Sequence, residues 1–98
     1  MSAAGWDAVM LDAADDVAVA LRDLAAGEHV RIRSGGAVIE LAVLGDIPLG
    51  HKLARRAIAA GEIVRKYGEA IGGATAAIAV GAHVHVHNIA SLRGKRGS

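Results

Sequence analysis

Hydrophobic and polar positions alternate with period two along much of this chain, the pattern of strands with one buried face. The clearest case is His29-Val30-Arg31-Ile32-Arg33, which leads into Ser34-Gly35-Gly36 and returns as Ala37-Val38-Ile39-Glu40-Leu41-Ala42-Val43-Leu44. That pair predicts a β-hairpin on a glycine turn. Val17, Val19 and Leu21 alternate after Asp15-Asp16, and Glu62 to Lys66 reads as a strand before a Tyr67-Gly68 turn. His83 to His87 alternates too, with Val84 and Val86 set toward the core. Between these, Gly45 to Gly50 is expected as a loop, with Pro48 holding Ile47 extended. Lys52 to Ala60 is expected to form about two helical turns, with Leu53, Ala57 and Ile58 facing inward. Ile71-Gly72-Gly73 is expected as punctuation before an Ala-rich turn up to Ile78.

One short phrase recurs. Leu24-Ala25-Ala26-Gly27-Glu28-His29-Val30 returns as Ile58-Ala59-Ala60-Gly61-Glu62-Ile63-Val64 and again as Ile78-Ala79-Val80-Gly81-Ala82-His83-Val84. Each copy predicts a short helical turn that ends at a glycine and then feeds a strand. The copies are unevenly spaced, which excludes a solenoid array. The alanines invite long helices, but 13 glycines run through the chain, and each costs about 1 kcal/mol inside a helix. The expected class is therefore mostly β with short helical turns.

Composition narrows the picture. The 98 residues suit one domain. There is no Phe, and Trp6 and Tyr67 are the only aromatics, so the core must be built from small aliphatic side chains. Thin packing of that kind invites added burial from a partner, or a homo-oligomer. Acidic and basic residues nearly balance, leaving a formal net charge of +1. The one basic cluster, Arg93 to Ser98, lacks the stacking aromatics of a nucleic-acid site, so no nucleic-acid partner is expected. Absence of Cys excludes disulfides and thiolate metal ligands. No signal-peptide pattern and no bilayer-length apolar run is present, so no membrane partner is expected and a cytoplasmic location is.

The candidate chemistry lies in His83-Val84-His85-Val86-His87-Asn88. On a strand, His83, His85 and His87 share one face, and imidazole serves both metal ligation and proton transfer near neutral pH. A straight strand would put the outer two about 13 Å apart, so one ion could take two neighbours and would need the strand to curl for a third. Without Cys the metals favoured are iron, manganese or zinc through nitrogen and oxygen. His29 stands alone and reads as surface. Gly50-His51-Lys52 offers a second base and a cation, and Lys66-Tyr67-Gly68 an ammonium beside a phenol. These three polar clusters suggest convergence on one surface that takes a small anion such as a carboxylate.

The ordered series Asp46-Ile47-Pro48-Leu49-Gly50-His51-Lys52, Val64-Arg65-Lys66-Tyr67-Gly68, Ile71-Gly72 and Gly81-Ala82-His83-Val84-His85-Val86-His87-Asn88 resembles the small N-terminal domain of the altronate and galactarate dehydratase family. The opening Asp16-Val17-Ala18-Val19-Ala20-Leu21 is similar to that domain's first strand. The resemblance implies a SAF-type β-clip over residues 12–89, between a lead-in at 1–11 and a flexible basic tail at 90–98. It also implies a lyase acting on sugar acids such as altronate or galactarate with a divalent metal, iron or manganese, or, in a sister branch, on sulfolactate. In that reading His85, His87 and His51 are the catalytic candidates. His83, His85 and His87 are the metal ligands, and Lys52, Lys66, Tyr67 and Asn88 bind substrate. The large catalytic subunit would be a separate partner that shares the metal site, and a natural end at Ser98 is expected. The alternative is a non-catalytic module that holds a small anion or regulates an associated enzyme.

Overall fold

The computed structural model describes residues 5–10 and 12–90. It is mostly β, as the alternation predicts, with nine strands among the described residues: β1 (Ala8–Met10), β2 (Val17–Ala20), β3 (His29–Ser34), β4 (Ala37–Ala42), β5 (Lys52–Ala54), β6 (Ile63–Lys66), β7 (Glu69–Ala74), β8 (His83–Val84) and β9 (Ile89–Ala90). Six form one sheet in the order β4-β3-β1-β2-β5-β8, and three form a second in the order β6-β7-β9. The cluster Arg93 to Ser98 lies outside the described residues. No described helix is long and apolar enough to cross a membrane. β1, inside the stretch read as a lead-in, pairs with β3 in parallel and with β2 antiparallel.

The recurring phrase marks a β-turn rather than a helical turn, and it occurs four times. Glu28 N–H donates to Ala25 C=O (2.9 Å), His51 to Pro48 (2.9 Å), Glu62 to Ala59 (3.0 Å) and Ala82 to Ala79 (3.0 Å). Gly27, Gly50, Gly61 and Gly81 occupy the third position of these turns with φ between 84° and 87°, the conformation a type II turn requires there. The apolar residue that opens each turn is buried, and the four pair off in isolated bridges, Leu24 with Ile47 and Ile58 with Ile78.

These pairs belong to an internal repeat. In the first unit Asp7 N–H donates to Arg31 C=O, Leu21 N–H to Asp7 C=O, and Gly27 N–H to Val43 C=O. In the second, Asp16 N–H donates to Arg65 C=O, Arg55 N–H to Asp16 C=O, and Gly61 N–H to Ala74 C=O. The side chains repeat as well. Arg22 spans Asp7 and Glu28, and Arg56 spans Asp16 and Glu62. Each glutamate then caps the turn it closes, Glu28 at Ala25 N–H (3.0 Å) and Glu62 at Ala59 N–H (2.7 Å). The first unit uses β1, β2, the β3–β4 hairpin and β5; the second uses β2, β5, the β6–β7 hairpin and β8.

Each unit has its own core. Leu24, Val30, Ile32, Ile47 and Leu53 centre the first, and Val17, Ile58, Val64, Ile78 and Val84 the second. The sequence expectations depart from this in three places. Lys52 to Ala60 is not helical: Lys52–Ala54 pairs with β2 on one side and β8 on the other, and this long-range pairing overrides the helix propensity of the alanines. Ile71-Gly72-Gly73 lies inside β7, where the glycines extend the ladder to β6 and β9. Val86 is 82% exposed, because β8 ends at Val84 and the chain turns.

Candidate metal and anion site

The repeat brings the histidines together. His51 follows the second turn, and His83 and His85 follow the fourth. β5 and β8 then pair antiparallel, with Leu53 opposite His83 and Lys52 opposite Val84. Directly paired residues point to the same face, as do residues two apart on a strand. His51, His83 and His85 thus gather on the face shared with Leu53, although 32 residues separate the first two in sequence.

Their rings form a stack. Centroids lie 5.1 Å apart for His51 and His83, 4.3 Å for His51 and His85, and 5.5 Å for His83 and His85. His51 Nδ1 and His83 Nε2 are 2.9 Å apart, so with no ion between them one ring donates to the other. Nitrogens of all three rings fall within 4.8 Å of one another. His87 stacks on His83 at 5.2 Å from the rim but does not join this nitrogen trio. His51, expected as a base, therefore takes the third place that the alternating pattern assigned to His87. The chain turns at His85, which folds His87 back over His83 rather than leaving it about 13 Å along a straight strand.

The electrostatics favour the neutral form of His83 and His85. Burial lowers the His83 pKa, and the neighbouring His51, His87, His85 and Lys52 lower it further. His85 is lowered by burial, then by His51, Lys52 and His87. His85 Nδ1 is buried and has no hydrogen-bond partner, an uncommon condition for a buried polar atom.

This donor set fits a divalent ion. Two imidazole nitrogens bound to one ion at right angles, each at about 2.1 Å, would stand roughly 3 Å apart, close to the His51–His83 spacing. His85 brings a third imidazole nitrogen within 4.8 Å of the other two. An all-imidazole set suits iron or zinc better than manganese, which prefers oxygen ligands.

The lysines form an adjoining group. By alternation Lys52 leaves β5 on the face of Ala54 and Val84, opposite His51. It is half-buried there, and burial, followed by the charge of Lys66, lowers its pKa. Lys66 Nζ lies 4.6 Å from the centre of the Tyr67 ring, and Tyr67 is half exposed. The Lys52 ammonium is also among the neighbours that lower the His83 and His85 pKa values. Asn88 is engaged with the backbone: its Oδ1 accepts from His85 N–H and its Nδ2 donates to His83 C=O, both at 2.9 Å. His29 lies apart from the site, on β3 and paired with Ala42 of β4.

The sequence reading did not anticipate the two Asp–Arg–Glu clasps or the buried Asp15, whose carboxylate accepts from Tyr67 N–H and Gly68 N–H at 2.7 Å each. The clasps had a signal, since Arg22 to Glu28 and Arg56 to Glu62 have the same spacing just where the phrase repeats.

Residues 6–92 match the family model described as the altronate/galactarate dehydratase SAF domain. The chain is 45% identical over 80 residues to the altronate dehydratase of Escherichia coli (strain K12), a match covering 82% of this chain and 15% of that protein. The chain thus spans a small fraction of that relative's length. It is also 38% identical over 90 residues to the (2R)-sulfolactate sulfo-lyase subunit alpha of Chromohalobacter salexigens, covering 89% of this chain and 96% of that subunit. The corresponding subunit of Paracoccus pantotrophus is 42% identical over 62 residues, 63% of this chain and 92% of that protein.

Proposed function

The chain belongs to the altronate/galactarate dehydratase SAF domain family, and from that premise we propose that it is the small, metal-holding part of a cytoplasmic lyase acting on a hydroxy acid. The substrate is a sugar acid such as altronate or galactarate, or a related acid such as sulfolactate, and a large catalytic subunit is the partner. The observation that carries this reading is the trio His51, His83 and His85, whose nitrogens lie within 4.8 Å of one another.

Elimination beside a carboxylate requires a base for the α-proton, an acid for the leaving group, and stabilisation of the charge that develops. His51, His83 and His85 would hold the divalent ion, iron or manganese, with the nitrogen set favouring iron. Once bound, the ion would polarise the substrate's oxygens as a Lewis acid. His87, on the rim and outside the trio, would move a proton. Lys52 and Lys66 draw the acid in and pair with its carboxylate, and Tyr67 offers a hydroxyl beside Lys66. The partner supplies the remaining ligands and the rest of the acid–base machinery.

The test is to purify the tagged chain from its native host, identify co-purifying chains by mass spectrometry, and assay the eluate for dehydration or sulfite release. A stoichiometric large partner is expected, with metal-dependent elimination lost in His85→Ala. Binding of a small acid with no turnover in any complex would instead establish a non-catalytic anion-binding module.

A further inference from the structure

We infer that Asn88 is a positioning residue: its side chain closes the open edge of β8 in place of a neighbouring strand, and so holds His85 beside the His51 and His83 that strand pairing brings together. This rests on the metal-site reading above and assigns Asn88 a task other than substrate contact.

The repeat supplies the argument. In the first unit the outer edge of β5 is covered by β8, and Ala54 N–H donates to Ala82 C=O at 2.9 Å. His85 is the counterpart of Ala54 one unit later. β8 ends the six-stranded sheet, so no strand meets the His85 N–H. Asn88 Oδ1 accepts it instead, while Asn88 Nδ2 satisfies His83 C=O on the same edge. A side-chain amide offers the same acceptor and donor as a peptide group. Two further bonds close the turn, from Asn88 N–H (3.0 Å) and Ile89 N–H (3.1 Å), both to His85 C=O. The sharp reversal fixes the backbone on either side of Val84. It orders the backbone that carries the His85 ring, whose centroid lies 5.5 Å from that of His83 and 4.3 Å from that of His51. One acceptor site and one donor of the amide are engaged with the backbone in this way.

Partners that orient ligands typically change metal affinity about 10- to 100-fold when removed. Asn88→Ala should therefore weaken Co²⁺ binding, followed by visible absorption, by about tenfold or more and alter the spectrum. Asn88→Asp, which keeps the acceptor for His85 N–H and loses the donor to His83 C=O, should fall between Asn88→Ala and the parent chain. A second readout needs no metal: the His85 imidazole ¹⁵N resonances of the ion-free chain should shift in Asn88→Ala, as that ring leaves its stack on His51. Far-UV circular dichroism checks that each variant is folded, and if Asn88→Ala does not fold, Asn88→Asp carries the test. Unchanged Co²⁺ spectra and imidazole resonances in a folded variant would overturn the inference. A parent chain that binds no Co²⁺ would sink the metal-site reading, while the ion-free resonances would still decide the positioning role.

Discussion

The two units of the repeat use one backbone device and differ in what they place on it. In the first, the paired turns are locked by side chains: Asp23 Oδ1 accepts from Leu49 N–H and Asp46 Oδ1 from Ala26 N–H, at 2.8 and 3.0 Å. The second unit has Ala57 and Ala77 at the matching positions and gains its anchorage elsewhere. Asp15 is buried beneath its hairpin and holds the backbone of Tyr67 and Gly68, while Asp16 accepts from Arg65 N–H just as Asp7 accepts from Arg31 N–H in the first unit. After the last turn the first unit continues His51-Lys52-Leu53-Ala54, and the second Ala82-His83-Val84-His85. Small and ionisable residues have thus changed places on equivalent strands. Pairing those strands turns two half-sites into one trio. The lesson is that the site belongs to neither unit but to the register between them.

The comparison can be broken most severely at Gly50 and Gly81, the glycines of the last turn in each unit. An added Cβ at Gly81 would lie 2.3 Å from Ala42 C=O, whereas at Gly50 it would meet nothing within 4 Å, and the two share φ of +85°. Both Gly→Ala changes carry the strain of positive φ, roughly 1–2 kcal/mol. Gly81→Ala adds the displacement of packed backbone, for a total of about 4 kcal/mol or loss of folding. Urea denaturation of the pair measures the difference, and equal losses would show that the units do not interlock at Gly81.

The next largest contrast concerns the clasps. The side chain of Asp16 is 8% exposed against 18% for Asp7. Removing a buried partner leaves Arg56 and the Arg65 N–H unmatched, so Asp16→Ala should cost about 3 kcal/mol. Asp7→Ala should cost nearer 1 kcal/mol, because water can replace the lost carboxylate. Thermal melts of both variants test the ranking.

The smallest effect is one of pH. The His83 and His85 pKa values are lowered from 6.5 in the folded chain. Above the unfolded value both states are neutral and stability is unaffected. As pH falls below 6.5 the unfolded chain takes up protons that the folded site resists, so stability declines and levels off below the folded values. The melting temperature should therefore drop modestly between neutral and mildly acidic pH, and His83→Gln with His85→Gln should flatten that slope. An unchanged slope would mean that the rings are no harder to charge in the fold than out of it.

What was legible in the sequence followed from local pattern. The β3–β4 hairpin, the Tyr67-Gly68 turn and the positions, though not the type, of three of the four glycine turns could be read from alternation and spacing. The fourth was hidden because Pro48-Leu49 stands where the others carry two small residues or Ala-Val, although Ile47 and Gly50 keep their places. The helix expected over Lys52 to Ala60 reflects alanines that serve turns here. Two histidines of the run, His83 and His85, join the nitrogen trio, but alternation alone describes a straight strand. The bend at His85 depends on Asn88, and the arrival of His51 depends on strand pairing across the repeat, which no local window contains.

β2 and β5 each belong to both units, and their alternating faces feed both cores: Ala18 and Leu53 into one, Val17 and Ala54 into the other. Neither half therefore holds a complete set of strands without the other. A chain divided after β4 would leave each piece with unpaired ladders and an uncovered apolar face. Two cores in one small molecule would ordinarily suggest two melting events. The shared strands instead make unfolding a single concerted step, and the slowest-exchanging amides should lie along β2 and β5, where the cores meet.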